Sequence, residues 1–186
     1  LAAPGSPGAN DRLTFGHIGV GGMGGHHLRD MVGRMKSGEV NVAAVCDIDE
    51  KRLANASRTA GPQADVYRDY RWVLDRDDID AVIIATPDHW HGLNAVHACE
   101  AGKDVYVEKP LGLTIDEGRA MLEAAARHER VVQMGTPEEL FETPAHTFVG
   151  YFIGSPGMNL LDAKVELQWI RAARESLRLH KAGQSV

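Results

Sequence analysis

Cysteine is scarce in this chain: Cys46 and Cys99 are the only two in 186 residues. Cys46 falls in an expected strand and Cys99 on an expected helix. Both read as buried thiols, with a disulfide or catalytic role as the alternative. An excess of basic charge is also missing. A net charge of −6 and a pI near 5.8 argue against nucleic acid as a partner, because nucleic acids select basic surfaces. No apolar run approaches the roughly 18–20 residues that a membrane helix requires. Internal repeats and low-complexity blocks are absent. The chain begins at Leu1 rather than Met, so its natural start reads as missing or processed away. What remains is length enough for one domain with a real core and a smaller appendage. Residues 1–10, rich in Ala, Gly, Pro and Ser, read as a flexible arm.

From there the chain alternates. Expected strands are Phe15 to Val20, Val42 to Cys46, Val66-Tyr67, Ala81 to Ala85, Asp104 to Val107 and Arg130 to Met134. Expected helices run from His26 to Met35, Asp49 to Ala60, Tyr70 to Leu74, His91 to Ala101 and Thr114 to His128. Gly61-Pro62 and Gly102 are stops, and Thr114 with Glu117 forms a capping-box pattern. Strands alternating with helices predict an α/β domain with a doubly wound parallel sheet over residues 11–136. Residues 137–186 read as a short irregular and helical tail. There Pro137, Pro144 and Pro156 break the pattern, and Asp162 to Lys181 is a candidate amphipathic helix.

Chemistry gathers at three places. The first is Gly19-x-Gly21-x-x-Gly24, between the first strand and the first helix. Gly19 permits a tight turn, Gly21 lets a pyrophosphate approach the backbone, and Gly24 lets helix and strand pack closely. Phosphates would sit at the helix N-terminus, where N–H groups and the dipole favour anions. The second is Asp47, at the end of the second strand. A carboxylate there accepts from ribose hydroxyls and repels a 2′-phosphate, favouring NAD; nearby Lys51 and Arg52 keep NADP open. The third is Glu108-Lys109-Pro110, directly after the fifth strand. Lys109 points toward the crevice where open α/β sheets hold ligands, and can polarise or deprotonate a hydroxyl that gives up hydride to a nicotinamide.

With Ala85-Thr86-Pro87-Asp88-His89-Trp90-His91 between them, these segments make residues 10–136 resemble the glucose-fructose oxidoreductase / inositol dehydrogenase (Gfo/Idh/MocA) family. The resemblance implies a Rossmann domain, NAD or NADP as cofactor, and a sugar, polyol or cyclitol as substrate. It implies that Gly19, Gly21, Met23 and Gly24 form the pyrophosphate loop and that Asp47 is the ribose acid. Thr86, Pro87 and His89 would line the cofactor, Glu108 and Lys109 would lie beside the nicotinamide with Lys109 catalytic, and Gln133 would sit near the site. Residues before Asn10-Asp11-Arg12 resemble the region after a twin-arginine export signal in secreted members, but no such signal is present. The location implied is periplasmic, with the cytoplasm as alternative.

The resemblance also implies an α/β substrate domain after the sixth strand, and residues 137–186 do not resemble its start. Instead Gly135 to Asn159 is similar to the end of the nucleotide-binding domain of maltose-type ABC ATPases, with Arg130 to Thr136 fitting both families. The chain therefore reads as a chimera lacking the substrate domain. ATPase activity is not expected, because no G-x-x-x-x-G-K-[ST] loop is present.

Other residues have plainer readings. His89, His91 and His97 do not converge as metal ligands, and no metal is expected. His26 and His27, at the start of the first helix, read as exposed or capping side chains, with a cofactor contact as the alternative. Trp90 reads as a packing residue, and Asp75 to Asp80 as a solvated turn. Three functions compete: an oxidoreductase, a dinucleotide-binding module without catalysis, and an interaction protein acting through its tail. Tyr151-Phe152-Ile153 and Leu160-Leu161 would favour self-association if uncovered.

Overall fold

The computed structural model describes residues 12–135. The expected arm, the tail with its candidate helix, and the stretch compared with ABC ATPases beyond Gly135 lie outside the described residues.

Six strands carry the fold: β1 (Leu13–Ile18), β2 (Val40–Cys46), β3 (Asp65–Tyr67), β4 (Ala81–Ile84), β5 (Asp104–Val107) and β6 (Val132–Met134). All neighbours pair parallel, in the order β3-β2-β1-β4-β5-β6. Between them lie α1 (Gly22–Lys36), α2 (Glu50–Ala60), α3 (Arg71–Leu74), α4 (His91–Glu100) and α5 (Ile115–His128). The chain leaves β1 toward β2 on one side and returns to β4 on the other. That reversal opens a crevice at the carboxyl ends of β1 and β4.

Local chemistry explains the boundaries. The Asp49 carboxylate accepts from the Lys51 and Arg52 N–H groups to start α2, and Gly61 ends it at φ 89°. Thr114 and Glu117 form the capping box of α5, a device whose loss costs about 1 kcal/mol. Only α1 departs markedly from the sequence expectation, starting at Gly22 rather than His26. Glycine disfavours helix by about 1 kcal/mol per residue, so propensity argues against a helix beginning Gly-Met-Gly-Gly. Packing against β1 overrides it.

Strand register sorts the core. Ile18, Cys46, Ile84 and Val107 share a rung and pack with Ala95, Ala98, Cys99, Met121 and Ala124 of α4 and α5. Each large aliphatic side chain so buried contributes about 1.5–3 kcal/mol. The preceding rung, Val45, His17, Ile83, Tyr106 and Gln133, faces the other side, where Tyr106 meets His27 of α1. Both cysteines are buried and free, as expected. Burial, reinforced by the charges of Asp47 and Asp69, pushes the Cys46 thiol up to about 12; burial first and then Asp104 push Cys99 to about 11. Neither is a reactive thiolate at neutral pH.

The charged run at 75–80 is more than a solvated turn. Arg76 pairs with Asp65 and Asp78 and donates to the Ala43 carbonyl, and the Asp80 carboxylate accepts from the Thr14 N–H at 2.9 Å. The Lys103 amine, 6% exposed, donates to the Arg76 carbonyl at 2.6 Å. These contacts tie together the amino ends of the strands, opposite the crevice. Among the described residues no helix is long and apolar enough to cross a membrane.

Candidate functional site

The glycine loop is built by close backbone contact. Gly19 has φ +82°, and a Cβ there would lie 2.6 Å from the Ala85 carbonyl oxygen. A Cβ on Gly24 would lie 1.9 Å from the Gly19 carbonyl oxygen. These two positions therefore need glycine before any ligand is considered. Gly21 differs, because a Cβ there would meet only the flexible Arg52 side chain, at 2.8 Å. Gly21 is thus covered by a flexible side chain, which can swing aside to let a group approach the backbone closely. No side chain caps α1, and its first turn holds no acidic residue. Its leading N–H groups and positive dipole end suit an anion such as a pyrophosphate. Met23, in that turn, is 42% exposed.

Asp47 closes the loop from the side. Its Oδ2 accepts from the Val20 N–H and its Oδ1 from the Asp49 N–H, both at 2.9 Å. Two N–H donors explain how a carboxylate only 9% exposed is accommodated. Each oxygen keeps a second lone-pair direction for a ribose hydroxyl. Arg52 lies across Gly21, on the same side as the Asp49 carboxylate, 4.0 Å away.

The loop after β4 carries Thr86 half-buried, with Pro87 and His89 exposed. Pro87 precedes a short 3-10 turn, Asp88–Trp90, that the sequence pattern leaves as a plain turn. Trp90 does not pack as expected: it is 42% exposed, its ring 6.1 Å from that of His89. The loop after β5 carries Glu108, 3% exposed, and Lys109, half-buried, with a cis bond to Pro110. Glu108 Oε1 lies 2.6 Å from His27 Nε2, and Oε2 accepts from the Lys109 N–H at 2.9 Å. Burial pushes the Glu108 carboxyl up, but the His27 hydrogen bond and charge, with the Lys109 N–H and charge, together hold it below the ordinary value. Glu108 is therefore an anion at neutral pH, held by His27 and the Lys109 N–H.

The structure thus brings Gly19, Gly21, Gly24, Asp47, Thr86, Glu108 and Lys109 to the carboxyl ends of four adjacent strands. Gln133 lies lower, inside β6 opposite Tyr106, with its amide donating to the Met134 carbonyl. Two residues gain roles that the sequence pattern does not assign. His27 leaves the exposed class and joins α1 to Glu108 across 81 residues of sequence. His91, 1% exposed, places one ring nitrogen 2.8 Å from the Thr86 carbonyl oxygen and the other 2.6 Å from that of Pro110. Neither contact has a local sequence signal. Beneath the loop, His17 is fully buried with no hydrogen bond on either ring nitrogen. Among the described residues no three His, Cys, Asp or Glu side chains are grouped to hold a metal.

Comparison with known proteins agrees with this geometry. The oxidoreductase family with an NAD-binding Rossmann fold, Gfo/Idh/MocA, matches residues 13–136. A glycosyl hydrolase family 109 protein of Shewanella sp. (strain W3-18-1) is 35% identical over 132 residues, covering 67% of this chain and 28% of the relative. An inositol 2-dehydrogenase/D-chiro-inositol 3-dehydrogenase of Halalkalibacterium halodurans is 34% identical over 124 residues, covering 66% and 35%. The chain thus spans about a third of the length of these curated relatives. The scyllo-inositol dehydrogenase of Lactobacillus casei, solved with NAD(H) and scyllo-inositol, aligns with a TM-score of 0.60 at 26% identity, covering 67% of this chain and 36% of that one.

Proposed function

We propose, from the premise that the chain belongs to the Gfo/Idh/MocA oxidoreductase family with its NAD-binding Rossmann fold, that residues 12–135 bind NAD and present Lys109 to the hydroxyl of a sugar, polyol or cyclitol. The observation that carries this reading is the convergence of an uncapped helix N-terminus, a strand-end Asp47 and Lys109 at one crevice. The residues fit a dinucleotide: with the Arg52 side chain swung aside, Gly21 lets a pyrophosphate approach the backbone, and Asp47 keeps lone pairs for the adenosine ribose. Once bound, NAD supplies the hydride acceptor. Asp47 supports NAD over NADP, whose 2′-phosphate would meet its charge; Arg52, lying over Gly21, is the cation through which NADP would be tolerated.

Lys109 acts on the reacting hydroxyl, lowering the cost of its proton loss as the carbon gives up hydride. Glu108 and His27 hold the loop that carries it. The inositol dehydrogenase names of two relatives support a cyclitol within the substrate class. Because the chain matches about a third of its curated relatives' length, we propose that it turns over little or no substrate by itself. Titrating NADH and NADPH by fluorescence, then assaying NAD reduction with sugars and cyclitols, tests the reading. NADH binding stronger than NADPH binding is expected, and any turnover should vanish in Lys109→Ala while NADH binding persists. No binding of either nucleotide would sink it.

The chimeric reading of residues 130–166 rests on sequence likeness to ABC ATPases. Peptide mass mapping across Arg130 to Phe141 of the expressed protein tests it. A different continuation there would remove it.

A further inference from the structure

We infer that His91 is the positioning residue that locks the two nicotinamide-side loops to each other; this rests on reading those loops as part of a dinucleotide site. The sheet holds β4 and β5 together only as far as Ile84 and Val107, with one further bond from the Glu108 N–H to the Ile84 carbonyl. Beyond that rung the chains diverge into Thr86-Pro87 and Lys109-Pro110, and no backbone bond joins Thr86 to Pro110. The His91 ring takes the place of the missing rung, reaching Thr86 O at 2.8 Å and Pro110 O at 2.6 Å. A carbonyl oxygen only accepts, so the ring is the donor in this bridge. A neutral imidazole donates to one carbonyl and the imidazolium to both. An amide side chain carries its N–H groups on one nitrogen and cannot face both loops as the ring does.

The location strengthens the argument. His91 is 1% exposed and opens α4, so its backbone is fixed by a helix packed on α5. Asn94, one turn on, donates to the Thr86 hydroxyl at 3.4 Å. By side-chain hydrogen bonds, α4 therefore grips the β4 loop through His91 and Asn94 and the β5 loop through His91. Without the ring, Pro110 and the adjoining Lys109 lose their tie to Thr86, while the Gly19–Gly24 loop and Asp47 keep all their bonds.

This asymmetry gives the test. Calorimetric titration of the whole chain with NADH and with ADP separates the two ends, because ADP reaches only the glycine loop and Asp47. In His91→Ala, NADH affinity should fall about tenfold through loss of the buried bridge between the two loops, with ADP affinity unchanged. His91→Gln should fall between, and it carries the test if the alanine variant does not fold. Parallel losses for both ligands would mean a general structural role and overturn the proposal, as would unchanged NADH affinity. A wild-type chain that binds neither ligand would instead overturn the dinucleotide reading.

Discussion

Replacing His17 with leucine raises stability at pH 7.5 by about 1–3 kcal/mol, the usual cost of a buried polar group left without a partner. His17 lies in the middle of β1, between Val45 and Ile83, and both ring nitrogens are buried without a hydrogen bond. Burial, and secondarily the charge of His27, lowers its pKa from 6.5 to about 3. The unfolded chain therefore takes up a proton that the folded chain refuses. This penalty is absent above pH 6.5 and grows as pH falls toward 3, by about 1.4 kcal/mol per unit. By pH 5 it should reach about 2 kcal/mol, a large part of a typical domain's margin. Glu108 has the depressed pKa of a stabilising carboxylate, so its contribution is lost only at more acid pH, below its unfolded value of 4.5. Comparing urea midpoints at pH 7.5 and 5.0 thus isolates His17. The wild type should lose markedly more stability than His17→Leu; equal losses would show that the histidine finds a partner or stays protonated in the fold.

His17 also shows where sequence reading stops. A first strand is legible at Phe15 to Val20, two residues on from the observed Leu13–Ile18, but a histidine inside it carries no sign of whether it meets water or core. The glycine loop, Asp47 and Glu108-Lys109 were legible because a strand-to-helix turn and a strand end constrain residues that are close in sequence. That the sheet is parallel follows from strand–helix alternation, but its order, β3-β2-β1-β4-β5-β6, appears only in the structure. By contrast, His27 with Glu108, and His91 with Pro110, depend on which loops the crossovers bring together, 81 and 19 residues apart. The start of α1 was misplaced for a related reason: glycine propensity is a local penalty, and the compensating contact of Gly24 with Gly19 appears only after the helix packs. Asp75 to Asp80 reads as solvated because charge runs usually are, yet Arg76 and Asp80 hold β2 and β1 through the Ala43 carbonyl and the Thr14 N–H, backbone atoms that no sequence pattern marks.

Gly24→Ala should damage the fold and the nucleotide site together, whereas Gly21→Ala should damage only the site. The added Cβ at Gly24 would lie 1.9 Å from Gly19 O, 2.9 Å from Gly19 C and 3.1 Å from Ala85 Cβ. Gly19 cannot retreat. Its N–H is held by the Cys46 carbonyl at 2.8 Å, the next N–H is held by Asp47, and a backward shift presses it into Ala85. The strain must push α1 outward, away from β1 and from the His27 contact with Glu108. Overpacking of this kind costs about 1–3 kcal/mol, so the melting temperature should drop by about 5–10 °C. At Gly21 the new methyl meets only Arg52, whose long side chain swings aside at little cost. Melting should therefore stay near the wild-type value, while NADH affinity falls because the methyl fills the space over which the pyrophosphate is proposed to lie. Thermal melts of both variants, paired with NADH titration of Gly21→Ala, check the contrast. A Gly24→Ala protein that melts like the wild type would show that α1 yields without cost. A Gly21→Ala protein that binds NADH normally would place the phosphates elsewhere.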